Sequence, residues 1–290
     1  MIKKVIIPIA GLGTRFLPLS KVLPKELWPL ADVPIIHHVL KEVKDSGVKD
    51  IIFVIKPDGK EVLEYLKPCP KTEKILKERK KENILEELKS LEELCQDLNI
   101  SYVYQKRPLG DGHAILQAAK NVKEEPVGCL FSDDVFDSKE PVLFQLDNIF
   151  KTCQKPVIAL SQQPKEKVSS YGIAGVEKIA NRVHKIKKII EKPQPDQAPS
   201  NLAIVGRYIL TPEVFDYLKK AKPSKKGEII LAEVLEEFML KQGKLVYGYE
   251  FTGNWLECGD KLKWLKSHFY FSLKHPKYGP ELKEYLKYLK

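Results

Sequence analysis

Short apolar runs at residues 5–9, 50–55, 100–105, 127–131 and 156–161 alternate with segments of helical periodicity, and this alternation constrains the fold more than any other feature of the chain. The first run is rich in β-branched residues and stopped by glycine, as expected of a buried strand. After it, Pro34 opens a segment with apolar residues at 35, 36, 39, 40 and 43 that ends near Gly47, the spacing of a helix with one buried face. Helices are expected again over 111–120 and 140–152. Strand and helix repeating in this order predict an α/β fold: a Rossmann-like, mixed but mostly parallel central sheet with helices on both faces.

The rhythm breaks at 71–98, where leucine and isoleucine recur at helical spacing in a heavily charged stretch, read as a helical insertion packed on the domain or an oligomer contact. From Gly172 the pattern turns to short strands at 172–178, 184–190 and 202–209, with a proline-punctuated loop, "EKPQPDQAPSN", between the last two. Helices over 212–221 and 228–241, a strand over 244–250 and a helix from 260 finish the chain. The 290 residues, 43% of them apolar, can build one large core. With no repeat and no linker, the expectation is a single domain of two halves, 1–165 and a smaller β-rich 166–260, followed by a helical segment over 261–290.

Several functions are disfavoured by composition. No run approaches the roughly 18 to 20 apolar residues of a membrane helix, and Met1 leads straight into a strand rather than a signal sequence, so the expected location is the cytoplasm, without a membrane. Cys69, Cys95, Cys129, Cys153 and Cys258 are odd in number and contain no C-x-x-C pair, which indicates neither disulfides nor zinc. The formal charge of +10 is mostly lysine interleaved with glutamate, as over 77–89, without arginine clusters; no nucleic-acid partner is expected. The six histidines form no H-x-x-x-H pair and read as structural, with His113 the one to watch. Trp28 and Trp255 read as packing residues.

Gly11 and Gly13 directly follow the first strand, where bare backbone can approach an anion and aim its N–H groups at it. The dinucleotide fingerprint fails, because Phe16 stands where a third glycine belongs, and the P-loop motif is absent. The longer stretch "GLGTRFLPLSKVLPKEL" resembles the signature of the sugar-1-phosphate nucleotidyltransferases, with Ser20 in place of the commoner threonine. Further segments follow in that family's order: "YQKRPLGDGHAI" at 104–115, "FSDD" at 131–134, "YG" at 171–172, "EKP" at 191–193, "SNLAIVGRY" at 200–208 and "WLECGDK" at 255–261. Within the family they are most like the bacterial uridylyltransferases acting on UTP and glucose 1-phosphate.

The resemblance implies the nucleotide-diphospho-sugar transferase fold, with nucleotide bound mainly by 1–165 and sugar phosphate by 166–260. Arg15 and Lys25 would contact the triphosphate, and Lys192 the sugar phosphate. Ala10, Gly11, Gly13, Thr14, Gln105 and Gly110 would bind nucleotide, and Gly172, Glu191 and Asn201 the hexose. Asp133 and Glu257 would hold Mg²⁺. The implied reaction joins UTP and glucose 1-phosphate into UDP-glucose with loss of pyrophosphate, in a homodimer or homotetramer. Positioning and charge neutralisation would carry it, because the attacking phosphate oxygen is already anionic.

Three departures from the family pattern stand out. Glu257 replaces the usual aspartate, Ile230, Ala232 and Glu233 stand where the uridylyltransferases tend to have Gln, Thr and Asp, and Asp111 occupies a normally apolar position. Asp111 is expected to act as an acid at a helix N-terminus. The departures leave open a same-fold enzyme for another nucleotide or sugar 1-phosphate, and a weakly active regulatory paralogue.

Overall fold

The computed structural model describes residues 1–224 and 227–289; Lys225 and Lys226, in the expected second half, and Lys290, at the end of the expected helical segment, lie outside it. Nine strands bond side by side in the order Asn99–Tyr104, Asp50–Ile55, Lys4–Pro8, Val127–Leu130, Leu202–Leu210, Val157–Gln162, Tyr247–Glu250, Val183–Glu191 and Gly172–Ala180. The first four are parallel. Leu202–Leu210 runs antiparallel to both neighbours, and Val157–Gln162 is parallel to Tyr247–Glu250. The last two strands add antiparallel, and Gly172–Ala180 also meets the central strand at Ile173 and Ala203, folding the far edge back on the middle.

The sheet is mixed, as expected, with parallel pairing prevailing only in the first half. There, helices such as Ile35–Asp45 provide the crossovers that parallel neighbours need. In the second half Ala180 and Val183 are joined only by Asn181 and Arg182, a turn short enough for antiparallel neighbours alone.

Alternation along the parallel strands feeds two cores. Val5, Ile7, Ile51, Phe53 and Ile55 pack with Ile36, Val39, Leu40 and Val43 on one face. Ile6, Ile52 and Val54 pack on the other with Ala114, Ile115, Leu231 and Phe238. With both faces covered, successive residues of a strand are all buried, which explains the unbroken apolar runs.

The expected helix over 111–120 divides at Ala118 into Asp111–Gln117 and Ala119–Val122. The one expected over 228–241 begins only at Leu231, because Ile230 is extended and Ile229 exchanges backbone bonds with Leu109 and Gly112 at 2.7 and 2.9 Å. The insertion is a pair of helices, Pro70–Glu78 without buried residues and Glu82–Cys95 burying Leu85 and Leu94. Sequence periodicity misses the hairpin Pro29–Leu30/Val33–Pro34 and the two-stranded sheet of Asp134–Asp137 with Asn254–Glu257. Strands this short carry no readable period. No helix among the described residues is long and apolar enough to cross a membrane, and all five cysteines are free.

Candidate active site

The loop after the first strand is held by its own side chains. Gly13 takes a left-handed conformation, φ 60°, and Ser20 Oγ donates to its carbonyl at 2.8 Å, drawing two 3₁₀ turns together. Phe16 is fully buried edge-on to Trp28, which packs in turn against Trp264, so the loop is pinned to the helix Lys261–Lys274. Ala10 is buried, whereas Gly11, Thr14 and Arg15 remain exposed. Gly11, Gly13, Ser20 and Lys25 line a small hollow, and Arg15 reaches into the larger cleft beside it.

At the C-terminal end of Val127–Leu130 the chain passes through Phe131, Ser132 and Asp133 into the small two-stranded sheet, whose register sets Asp134 opposite Glu257. Cys258 N–H donates to the Asp133 carbonyl at 2.6 Å, which brings the two segments together. Their side chains then meet over Gly259. A Cβ there would lie 3.3 Å from Glu257 Oε1, 3.5 Å from Asp133 Oδ2 and 3.7 Å from Arg15 Nη1. Arg15 Nη1 itself donates to the Gly259 carbonyl at 3.3 Å.

Both carboxylates are compensated by lysine. Lys25 Nζ donates to Asp133 Oδ2 at 2.8 Å. Burial would raise the Asp133 pKa, but Lys25 more than offsets it and holds the group below the usual carboxylate range. Burial would likewise lower the Lys25 pKa, and Asp133 beside it keeps it raised. Glu257 accepts from Lys263 Nζ at 2.6 Å and from the Tyr171 hydroxyl at 2.8 Å. Asp134 differs: burial, then the charge of Asp133, pushes it up to about 7, while it accepts from Gly206 N–H at 2.9 Å and Trp255 Nε1 at 2.6 Å.

Among the described residues no three or more His, Cys, Asp or Glu side chains gather as a metal cage. The donor chemistry of the carboxylate pair Asp133 and Glu257 fits Mg²⁺, which takes few protein ligands and completes its shell from phosphate oxygens and water.

The cleft, of about 260 Å³, is lined further by Gly172, Glu191 and Lys192. Glu191 ends its strand opposite Gly172, and Lys192 Nζ lies 3.2 Å from Glu191 Oε1. Lys192 has φ 48° and donates its N–H to the Tyr171 carbonyl at 2.9 Å. Gln105, buried at 6% exposure, donates through Nε2 to the Gly110 carbonyl at 2.9 Å and lies 3.0 Å from His113 Nδ1. Gly110 has φ 94°, and a Cβ there would strike the Ile229 carbonyl at 2.5 Å, so only glycine fits. Asp111, the next residue, joins this group to the cleft. Asp111 does open a helix, and its Oδ1 also accepts from Leu231 N–H of a second helix at 2.8 Å.

The structure thus brings Arg15, Asp133, Gly172, Glu191, Lys192 and Glu257 to one cleft, with Lys25 bonded to Asp133 behind it. Asn201 stands apart, exposed at the start of Leu202–Leu210 with its carbonyl bonded to Gln163 N–H. Trp255 packs, as expected, but also lines the cleft. Sequence reading missed Tyr171 and Lys263 as partners of Glu257, and Arg207. Arg207 is fully buried, pairs with Glu42 at 2.8 Å, and donates to the carbonyls of Phe131 at 2.8 Å and Asp134 at 2.7 Å on either side of Asp133.

A glycine loop at the strand ends of an open α/β sheet, beside a cleft that holds the carboxylates Asp133 and Glu257 together with Arg15 and Lys192, is where such sheets bind their ligands. The family model for nucleotidyl transferases matches residues 4–268, and the chain belongs to that family. It is 38% identical over 288 residues, 99% of its length and 98% of the relative's, to a UTP-glucose-1-phosphate uridylyltransferase of Staphylococcus haemolyticus. A solved structure of UTP-bound UGPase from Acinetobacter baumannii superposes with TM-score 0.90 at 32% identity, covering 100% of both chains. A UDP-glucose pyrophosphorylase complexed with UDP-glucose does so with TM-score 0.85 at 33% identity, covering 95% of this chain and 100% of the other.

Proposed function

We propose that the protein is a uridylyltransferase that forms UDP-glucose and pyrophosphate from UTP and glucose 1-phosphate. The observation that carries this reading is the convergence of Arg15, Asp133 and Glu257 on Gly259, in the same cleft as Glu191 and Lys192. Full-length similarity to uridylyltransferases supports the choice of substrates.

In this reading Gly11, Gly13, Arg15 and Lys25 hold the UTP phosphates, and Gln105 with Gly110 reads the uracil edge. Glu191 and Gly172 accept the hexose, and Lys192 holds its phosphate. A phosphate oxygen of glucose 1-phosphate attacks the α-phosphorus of UTP, the bond to the β-phosphate bridging oxygen breaks, and pyrophosphate leaves. No protein base is needed, since the nucleophile is already ionised. The work of the chain is to fix two polyanions in line and spread their charge over lysine and arginine. Mg²⁺ held by Asp133 and Glu257 would add charge neutralisation on the phosphate oxygens. We place the protein in the cytoplasm, where UTP is available, and as a homodimer or homotetramer. The exposed stripe Leu262, Leu265 and Phe269 on Lys261–Lys274 supports self-association.

The test is pyrophosphate release with Mg²⁺ from UTP, dTTP, CTP and ATP, each paired with glucose 1-phosphate and galactose 1-phosphate. Turnover with UTP and glucose 1-phosphate at least about tenfold above every other pair is expected. Preference for another pair would transfer the activity to that substrate, and no turnover with retained UTP binding would support a regulatory paralogue instead.

A further inference from the structure

One wall of the cleft is built where two chain segments meet, the N-terminal ends of Leu231–Gln242 and Asp111–Gln117. Ile230 and Ala232 face it from the start of Leu231–Gln242 and offer no side-chain donor or acceptor. Asp111 is brought to the same wall from Asp111–Gln117, and its Oδ1 accepts from the N–H of Leu231, the residue between those two. That bond caps a helix whose own N-cap residue, Ile230, has no side chain able to do so.

Capping uses only part of what a carboxylate offers. The group has two oxygens and about four lone-pair sites. No lysine, arginine or histidine among the described residues makes an ion pair with Asp111. Burial pushes its pKa up to about 6, against backbone bonds from Leu231 and Gly112, with Glu191 and Glu228 raising it further. A carboxylate held this way, facing a cleft, is stabilised by any hydroxyl donor that enters and penalised by an apolar group that enters instead.

We infer that Asp111 is a specificity-determining residue of the sugar cleft: its carboxylate accepts a hydrogen bond from one ring hydroxyl of the hexose 1-phosphate, so the site rejects the hexose deoxygenated at that position. This rests on the uridylyltransferase reading and deepens it by naming the substrate class as hexose 1-phosphates hydroxylated where they meet Asp111.

The experiment measures kcat/KM for glucose 1-phosphate and its 2-, 3-, 4- and 6-deoxy analogues, with saturating UTP, in the wild type and in Asp111→Leu and Asp111→Asn. In the wild type one analogue is expected to fall at least about tenfold below the parent sugar through the lost contact with Asp111. In Asp111→Leu that one ratio is expected to collapse to within about threefold, with the ratios for the other three analogues unchanged, because the acceptor for that hydroxyl has gone. Should Asp111→Leu not fold for want of its cap, Asp111→Asn decides. Its amide oxygen can still cap Leu231 while its NH₂ replaces the free acceptor, and the same ratio is expected to shift at least about fivefold at an unchanged melting temperature. Ratios that match the wild type in a folded, active variant would overturn the role of Asp111 alone, as would a wild type indifferent to all four deoxygenations. A wild type inactive with UTP and glucose 1-phosphate themselves would instead overturn the uridylyltransferase reading on which the inference rests.

Discussion

Lys192 and Gly259 show two uses of backbone at the site. Gly259 contributes the absence of a side chain: the space a Cβ would take lies within 3.7 Å of Arg15, Asp133 and Glu257. Lys192 is a non-glycine residue in the left-handed region, φ 48°, a conformation that costs energy and is kept only where surroundings enforce it. Here the enforcing contact is its own N–H on the Tyr171 carbonyl, and the result is an ammonium beside Glu191 at the cleft. Lys192→Ala is expected to raise the KM for glucose 1-phosphate about 10- to 100-fold, the worth of a charge-assisted phosphate contact, while the KM for UTP stays within about twofold. Steady-state kinetics with each substrate varied in turn checks this; equal losses for both substrates would contradict the assignment.

Among the elements, the strand Leu202–Leu210 holds the segment that carries Asp133. Its Arg207 bonds the carbonyls of Phe131 and Asp134 and lies 4.7 Å over the ring of Phe136, so the turn that presents Asp133 is fixed from beneath. Glu42, on Ile35–Asp45, neutralises the buried guanidinium. Arg207→Met would leave Glu42 buried without its partner, and a loss of about 3–5 kcal/mol in chemical denaturation is expected. A loss below about 1 kcal/mol would show the pair to be dispensable. Arg207 lies inside a stretch, "SNLAIVGRY", quoted for its resemblance, yet nothing in the sequence said that it reaches back to Phe131. Parallel strands and their helices were legible because a buried face repeats every 2 or every 3.6 residues. The pairing of Asp134–Asp137 with Asn254–Glu257 was not, because a four-residue strand matched across more than a hundred residues leaves no local period. Glu257 could therefore be nominated only through its motif, and its bonds to Lys263 and Tyr171 had no sequence signal at all.

Taken as a whole, the molecule carries an excess of positive charge, +10, and at the cleft it sets lysines against two of the carboxylates, Asp133 and Glu257. In the proposed reaction the lysines of these two pairs, Lys25 with Asp133 and Lys263 with Glu257, would be the cations that meet two anionic substrates. Those pairs draw on distant parts of the chain: Lys25 comes from the loop after the first strand, Asp133 from the end of Val127–Leu130, Glu257 from the small two-stranded sheet and Lys263 from the helix that follows it. The measurement that tests the proposed reaction most directly is pyrophosphate release from UTP and glucose 1-phosphate as a function of Mg²⁺ concentration, in the wild type and in Asp133→Asn, alongside UTP binding and thermal unfolding. Saturable Mg²⁺ dependence in the wild type and a fall of at least about 10²-fold in kcat for Asp133→Asn, in a folded protein that still binds UTP, are expected. Unchanged kcat and Mg²⁺ dependence in Asp133→Asn would contradict the proposed role of Asp133.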